Sequence, residues 1–246
     1  MTNYPDPIYL KETDSTNTFL AQLCSKVVPA ELTCVYTSFQ TAGRGQRGNH
    51  WESEAGQNLL FSFVIYPSFI EAGQQFILAQ ITALGIQQCL AQYVDHVTIK
   101  WPNDIYWNDQ KICGTLTEND LTGLNISRSI SGSGININQE HFVSDAPNPV
   151  SLYQITGKKY CLTTLLKQIM DRIAHHYARA QRGEFEAIRR EYEQVLYRRE
   201  GFHPYRDPEG AFEARFVTIE PIGRIVLEDR AGNIRKYMFK EMEFVL

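Results

Sequence analysis

The 246-residue chain carries 24 basic and 28 acidic side chains, a formal charge of −4, and 43% hydrophobic residues. That is the make-up of a globular protein able to bury a sizeable core, and a sequence pI near 5.9 argues against nucleic acid as its main partner. Five scattered cysteines with no Cys-x-x-Cys pair speak against a disulfide framework or zinc site and for a reducing cytoplasm, and residues 1–10 offer no apolar run for a signal peptide or a membrane anchor.

In chain order, Asp14-Ser15-Thr16-Asn17 supplies capping side chains ahead of Phe19, Leu20 and Leu23, which predicts a helix start. Residues 33–39 read as a strand running into Gln40-Thr-Ala-Gly43-Arg44-Gly45-Gln46-Arg47-Gly48-Asn-His-Trp51. Residues 58–66 read as a well-buried strand, and the apolar spacing over 74–94 predicts a helix. Close-set strands follow at 97–100, 111–118 and, with an interruption, 124–138, a pattern of antiparallel sheet rather than βαβ units. Helices are predicted at 163–181 and 184–197. After Gly201, short alternating runs at 212–219, 222–229, 234–239 and 244–246 predict a small β barrel or sandwich, dividing the chain into 1–199 and 200–246.

The 40–51 stretch is the most informative. Gly43, Gly45 and Gly48 let backbone approach a ligand closely, and the Arg44 and Arg47 guanidinium forks suit phosphate or carboxylate oxygens. The spacing matches a dinucleotide fingerprint, but a strand, not a helix, follows it. A kinase glycine loop fails as well, since His50 stands where Val is needed and no His-Arg-Asp or Asp-Phe-Gly occurs.

Lys100-Trp101-Pro102-Asn103-Asp104 places an acid beyond a chain-fixing proline, where it serves as an Asx turn, a Mg²⁺ contact or a group orienting an amine. Lys111 opens the next strand, and Gly114 within it signals close approach of a ligand or of backbone. Ser131-Gly-Ser-Gly134-Ile-Asn136 repeats the theme, with a β-bulge or hairpin as the plainer explanation. His175 and His176 are adjacent and make no metal pair across one helical turn.

Taken together, Asp14-Ser-Thr-Asn17, Gln40-Thr-Ala-Gly-Arg-Gly-x-x-Gly48, Trp51, Lys100-Trp-Pro-Asn-Asp104, Lys111-x-x-Gly114 and Gly132-x-Gly-Ile-Asn136 resemble the biotin–protein ligases, over residues 13–138 and in family order. The resemblance implies an α+β fold, a mixed, mainly antiparallel sheet flanked by helices in the manner of class II synthetases. It also implies a C-terminal SH3-like β-barrel.

It implies ATP-dependent conversion of biotin to biotinyl-5′-AMP, with Mg²⁺ and no tightly bound prosthetic group. Transfer to a lysine of a biotin carboxyl carrier protein, of acetyl-CoA carboxylase or a related carboxylase, then follows. Ser15, Thr16, Asn17 and Gln40 are expected at the ureido ring. Arg44, with the backbone of Gly43, Gly45 and Gln46, is expected at the phosphate. Lys111 is expected at the carboxylate and phosphorus, with Gly114 beside it. Trp51 and Asn136 are expected at the adenine, Asp104 at the carrier lysine or Mg²⁺, and Lys100 and Arg47 among the binding residues.

Gln46 stands where the family often has arginine, which removes one cation from the loop, with Arg47 next to it. The Ser-Thr-Asn string begins too early for a preceding helix-turn-helix, so a ligase-only, cytoplasmic protein is expected, monomeric or homodimeric, without DNA or membrane as partner. A lipoate–protein ligase and a non-catalytic biotin- or nucleotide-binding module are the alternatives. The Lys-Trp-Pro-Asn-Asp string speaks against the first, and the presence of both Arg44 and Lys111 against the second.

Overall fold

The computed structural model describes residues 4–45, 51–143 and 148–245. Up to residue 200 the elements are β1 (Ile8–Leu10), α1 (Thr16–Lys26), β2 (Cys34–Thr37), β3 (Leu59–Ile65), α2 (Phe76–Leu90), β4 (Val97–Lys100), β5 (Asp104–Trp107), β6 (Gln110–Thr122), β7 (Asn125–Ile135), α3 (Leu152–Thr156), α4 (Leu162–Gln181) and α5 (Phe185–Gln194). Their strands form a seven-stranded sheet ordered β1-β2-β3-β7-β6-β5-β4. Only the edge pair β1–β2 is parallel, so the sheet is mixed and mainly antiparallel.

β3 explains the layering. Its sequence, LLFSFVI, is buried throughout, as a central strand covered on both faces must be. Alternation sends Phe61 and Phe63 into the core shared with Ile81 and Leu84 of α2 and Ile169 and Ile173 of α4, while Val64 joins Leu20 of α1, Val35 and Ile130 on the other face. α2 and α4 cross closely at Gly85, where a Cβ would lie 2.6 Å from Ile173 Cγ1. Among the described residues no helix is long and apolar enough to cross a membrane.

The second sheet comprises β8 (His203–Asp207), β9 (Gly210–Ile219), β10 (Ile225–Asp229), β11 (Ile234–Tyr237) and β12 (Glu243–Phe244), ordered β11-β10-β9-β8-β12. Every pairing in it is antiparallel, and the last strand, β12, pairs through Glu243 and Phe244 with the first, β8, in keeping with the expected small C-terminal β unit; among the described residues no ladder joins β11 to β12. The sheet sits against the first. Trp101 Nε1 donates to Gly223 O at 3.0 Å, and Glu193 Oε1 accepts from Thr218 Oγ1 at 2.9 Å and Ile219 N at 3.0 Å.

Other differences are local. The expected helix start is at Thr16, but Ser15 makes no side-chain cap; its backbone N–H instead donates to Asp14 Oδ1 at 2.6 Å. β5 continues directly from the Asn103 turn, so the Lys-Trp-Pro-Asn-Asp string is a hairpin bend between paired Lys100 and Asp104. β7 runs without interruption through Gly132 and Gly134.

One buried polar group sets a pH dependence. His176, 2% exposed, lies with Nε2 3.0 Å from Gln88 Oε1 and Nδ1 3.2 Å from Arg179 Nη1. Arginine can only donate, so the imidazole is neutral with its proton on Nε2. Burial pushes its pKa down from 6.5 to about 4, with Arg179, His175 and Arg172 acting in the same direction and Glu191 against it. The unfolded chain therefore takes up the proton first as pH falls. Stability is full above about pH 6.5 and declines by about 3 kcal/mol as pH drops through about 4. Denaturant midpoints measured across that window should lose this slope in His176→Gln; an unchanged slope would assign it to other groups.

Candidate active site

The site lies on the α1 face of the first sheet, along the β6–β7 ladder. Gly114 pairs with Gly134 and Leu116 with Gly132 in an unbroken register. The plainer reading of these glycines as a bulge therefore does not apply; the nearest register shift is between Asp120 and Leu121. What they provide is room. A Cβ on Gly134 would lie 2.4 Å from Cε2 and Nε1 of Trp51, and one on Gly114 would lie 2.9 Å from Trp51 Cζ3 and 3.3 Å from Lys111 Nζ. A Cβ on Gly132 would lie 2.0 Å from Asn17 Oδ1. Such distances are far inside van der Waals contact, so the indole and the Asn17 amide rest directly on sheet backbone.

At one end of this floor is a polar cluster. Thr16 and Asn17 are buried at the first turn of α1. Gln40 Oε1 accepts from Thr16 N at 2.8 Å and Thr16 Oγ1 at 3.1 Å. The Ser62 hydroxyl stands 2.7 Å from Thr16 Oγ1 and 2.6 Å from Asn17 Oδ1. Asn17 Nδ2 donates to Leu116 O at 3.3 Å and Glu118 Oε2 at 2.8 Å, and Arg44 Nη2 donates to Glu118 Oε2 at 2.9 Å and Oε1 at 3.1 Å. The hydrogen bonds thus run without a gap from Gln40 to Arg44.

At the other end Lys111 Nζ pairs with Asp104 Oδ2 at 2.6 Å, both side chains about one-third exposed, with Nζ 5.9 Å from the Trp51 ring. The turn before Asp104 is held from three directions. Trp101 donates to Gly223 O, Tyr192 Oη to Pro102 O at 2.6 Å, and Asn103 Nδ2 to Thr115 O at 3.0 Å. Lys111 is held through its backbone, donating to Asn148 O at 2.7 Å and accepting from Val150 N at 3.0 Å.

Two buried polar atoms near this end lack a partner, Trp51 Nε1 and Asn136 Oδ1, although Asn136 Nδ2 donates to Val150 O at 3.2 Å. The glycine loop is clasped at its base, where Trp51 N donates to Gly43 O at 3.1 Å. Beyond Trp51, buried Gln139 accepts from Glu54 N and Asn58 Nδ2, and Asn58 Oδ1 accepts from Ile137 N at 2.9 Å. Replacing Asn58 with alanine should cost about 1–3 kcal/mol, because the Ile137 N–H is then left unsatisfied in the core. A thermal melt within error of the parent would show that the bond contributes nothing.

The structure therefore brings together Thr16, Asn17, Gln40, Arg44, Trp51, Asp104, Lys111, Gly114 and Asn136 along one surface. Ser15 borders the cluster through its backbone. Lys100 turns elsewhere. Its Nζ lies 3.0 Å from Tyr106 Oη, over the Tyr106 and Phe244 rings, where burial lowers its pKa and Asp104 opposes the shift. Gln46, Arg47 and Gly48, and with them the expectation about Gln46, lie outside the described residues.

Sequence reasoning missed Ser62 and Glu118. Ser62 was findable as the single hydroxyl inside an apolar strand, whereas Glu118 resembles any charged residue toward the end of a strand. Among the described residues no cluster of three or more His, Cys, Asp or Glu side chains could hold a metal ion.

Comparison with known proteins followed the same stretch. The model of the biotin/lipoate A/B protein ligase family matches residues 9–136. The bifunctional ligase/repressor BirA of Bacillus subtilis is 28% identical over 244 residues, covering 96% of this chain and 73% of that protein. The biotin–[acetyl-CoA-carboxylase] ligase of Paracoccus denitrificans is 33% identical over 52% of this chain and 53% of its own length. Among solved structures, the biotin protein ligase of Aquifex aeolicus in complex with biotin and ATP superposes with a TM-score of 0.80 at 25% identity, covering 98% of this chain and 99% of that one.

Proposed function

Because the chain belongs to the biotin/lipoate A/B protein ligase family, we infer that it is a biotin–protein ligase. It activates biotin with ATP and transfers the biotinyl group to a lysine of a biotin carboxyl carrier protein. In the first step a biotin carboxylate oxygen attacks the α-phosphorus of ATP, an O–P bond forms, and pyrophosphate leaves. In the second, the lysine amine attacks the acyl carbon, AMP leaves with the bonding electron pair, and the amine proton passes to a base or to water.

The observation that carries this reading is the arrangement of polar and charged groups along the glycine floor. A cation–acid pair, Lys111–Asp104, stands at one end of a glycine floor, and a polar cluster suited to a urea stands at the other. A urea offers one strong acceptor and two N–H donors, which the Asn17 amide, the hydroxyls of Thr16 and Ser62 and the Gln40 carbonyl complement. Lys111 is assigned to the carboxylate and then to the charge developing at phosphorus, the position where a fixed charge accelerates acyl-phosphate chemistry most. Asp104 holds that ammonium in place and is released to the incoming amine or to Mg²⁺. A single carboxylate together with substrate phosphates is an ordinary Mg²⁺ environment.

Trp51 Nε1 and Asn136 Oδ1, buried without a hydrogen-bond partner among the described residues, are assigned to the adenine, whose ring nitrogens accept and whose amino group donates. Arg44 is assigned to the phosphate. We further assign catalysis to residues 1–199, with 200–246 as an accessory unit, and a carrier domain of a biotin-dependent carboxylase as the macromolecular substrate.

Pyrophosphate release tests the reading. It should require biotin and ATP together, and labelled biotin should then enter a carrier domain. Incorporation of lipoate instead of biotin would replace the assignment with a lipoate ligase. Binding of biotin and ATP without pyrophosphate would replace it with a non-catalytic module.

A further inference from the structure

Glu118 joins two groups assigned to different parts of the ligand. Its Oε2 accepts simultaneously from the Asn17 amide, at the end assigned to the ureido ring, and from Arg44, the cation assigned to phosphate. The position of Arg44 is the unexpected part. Gly114, beside Lys111 Nζ, and Glu118 are separated along β6 by about 13 Å at the usual strand rise. Paired with Glu118, Arg44 therefore lies at the biotin end, away from the Lys111 end where phosphorus would react. Lys111 is likewise paired with an acid, Asp104. Both cations are thus paired with a carboxylate, and the two pairs differ in what can release them. Among the described residues no hydrogen bond or ion pair links Asp104 to the ureido cluster, whereas Glu118 shares Asn17 with it.

We propose that Glu118 is a positioning residue that couples biotin binding to the release of Arg44, and so to ATP binding. This rests on the ligase reading above. An Asn17 amide that turns to the ureido carbonyl gives up its bond to Glu118. The carboxylate then loses the neighbour that fixes it, and Arg44 exchanges Glu118 for phosphate oxygens. The exchange is cheap enough to be reversible. With the two side chains 45% and 44% exposed, water screens the pair and already competes for it. Biotin therefore raises affinity for the nucleotide, and by linkage the nucleotide raises affinity for biotin by the same factor.

The test uses calorimetric titration of an ATP analogue with a methylene in place of the α,β-bridging oxygen, with and without biotin, on the full chain. In the parent protein biotin should tighten analogue binding. In Glu118→Gln, which keeps an acceptor for Asn17 but lacks the charge that holds Arg44, biotin-free binding of the analogue should be about two- to fivefold tighter, the range set by one exposed ion pair. The gain on adding biotin should shrink by the same factor, while the kcat of pyrophosphate release changes less than KM for ATP. Glu118→Ala is the second variant and should behave alike.

Equal biotin-free affinity and an equal biotin-induced gain in parent and variants would overturn the proposal, as would loss of biotin binding in both. Pyrophosphate release by the parent protein is measured in parallel. Its absence would remove the ligase reading itself, whereas an active parent with unaltered variants removes only the role of Glu118.

Discussion

Replacing Lys111 with alanine is expected to lower pyrophosphate release from biotin and ATP by about 100- to 1,000-fold, the effect of losing one preorganised charge contact at a reacting phosphoryl or acyl oxygen. The fold should survive. Lys111 and Asp104 are 32% and 28% exposed as side chains, and a pair so open to water contributes little to stability, about 1 kcal/mol or less. The backbone of Lys111 stays bonded to Asn148 and Val150 in the variant. Thermal midpoints close to the parent, together with the rate loss, would separate chemistry from folding. Lys111→Arg keeps the charge on a longer, planar head and should recover only part of the rate. A Lys111→Ala enzyme within a few fold of the parent would take the ammonium out of the mechanism.

The second large effect is expected from a single added methyl group. In Gly132→Ala the new Cβ would stand 2.0 Å from Asn17 Oδ1 and 2.8 Å from Ser62 Oγ. Both atoms are already engaged in hydrogen bonds. Asn17 is held by Leu116 and Glu118, and both residues are buried. Overpacking of this kind costs about 1–3 kcal/mol in stability, and expulsion of the Asn17 amide should weaken biotin binding by about tenfold or more, roughly 1.4 kcal/mol. Gly73→Ala is the internal comparison. Nothing lies within 4 Å of its new methyl, and its effect should stay within about 0.5 kcal/mol. Equal biotin affinity in Gly132→Ala and the parent would mean that Asn17 does not line the binding pocket.

Legibility in the sequence followed distance along the chain. LLFSFVI announced a central strand by its unbroken apolarity, and the 163–181 helix was plain from its spacing, because each is written in neighbouring residues. β1 and β5 were missed for the converse reason. At three and four residues they carry too little pattern, and they exist because neighbouring strands, β2 and β6, offer them ladders.

In the site, the glycine loop and the Lys-Trp-Pro-Asn-Asp string identified the family, yet the partners of their charges could not be read. Glu118 is 74 residues from Arg44, and only the register of β6 against β7, with α1 lying above them, brings the two together. The glycines at 132 and 134 were visible, but their purpose needed the positions of Asn17 and Trp51.

Trp101 has a consequence for the enzyme as a whole. Its indole, 5% exposed, is lodged against Phe239 and bonded to Gly223, while Asp104 lies three residues further along the same bend. The second sheet thus serves as an abutment, a fixed mass against which the acid-bearing bend is braced from behind. Removing residues 200–246 would withdraw that backing and strip Trp101 Nε1 of its acceptor, leaving the bend to its remaining bonds, among them Tyr192 Oη to Pro102 O and Asn103 Nδ2 to Thr115 O. Residues 200–246, of which none of the described ones is among the site residues named above, would then govern how firmly that acid-bearing bend stands.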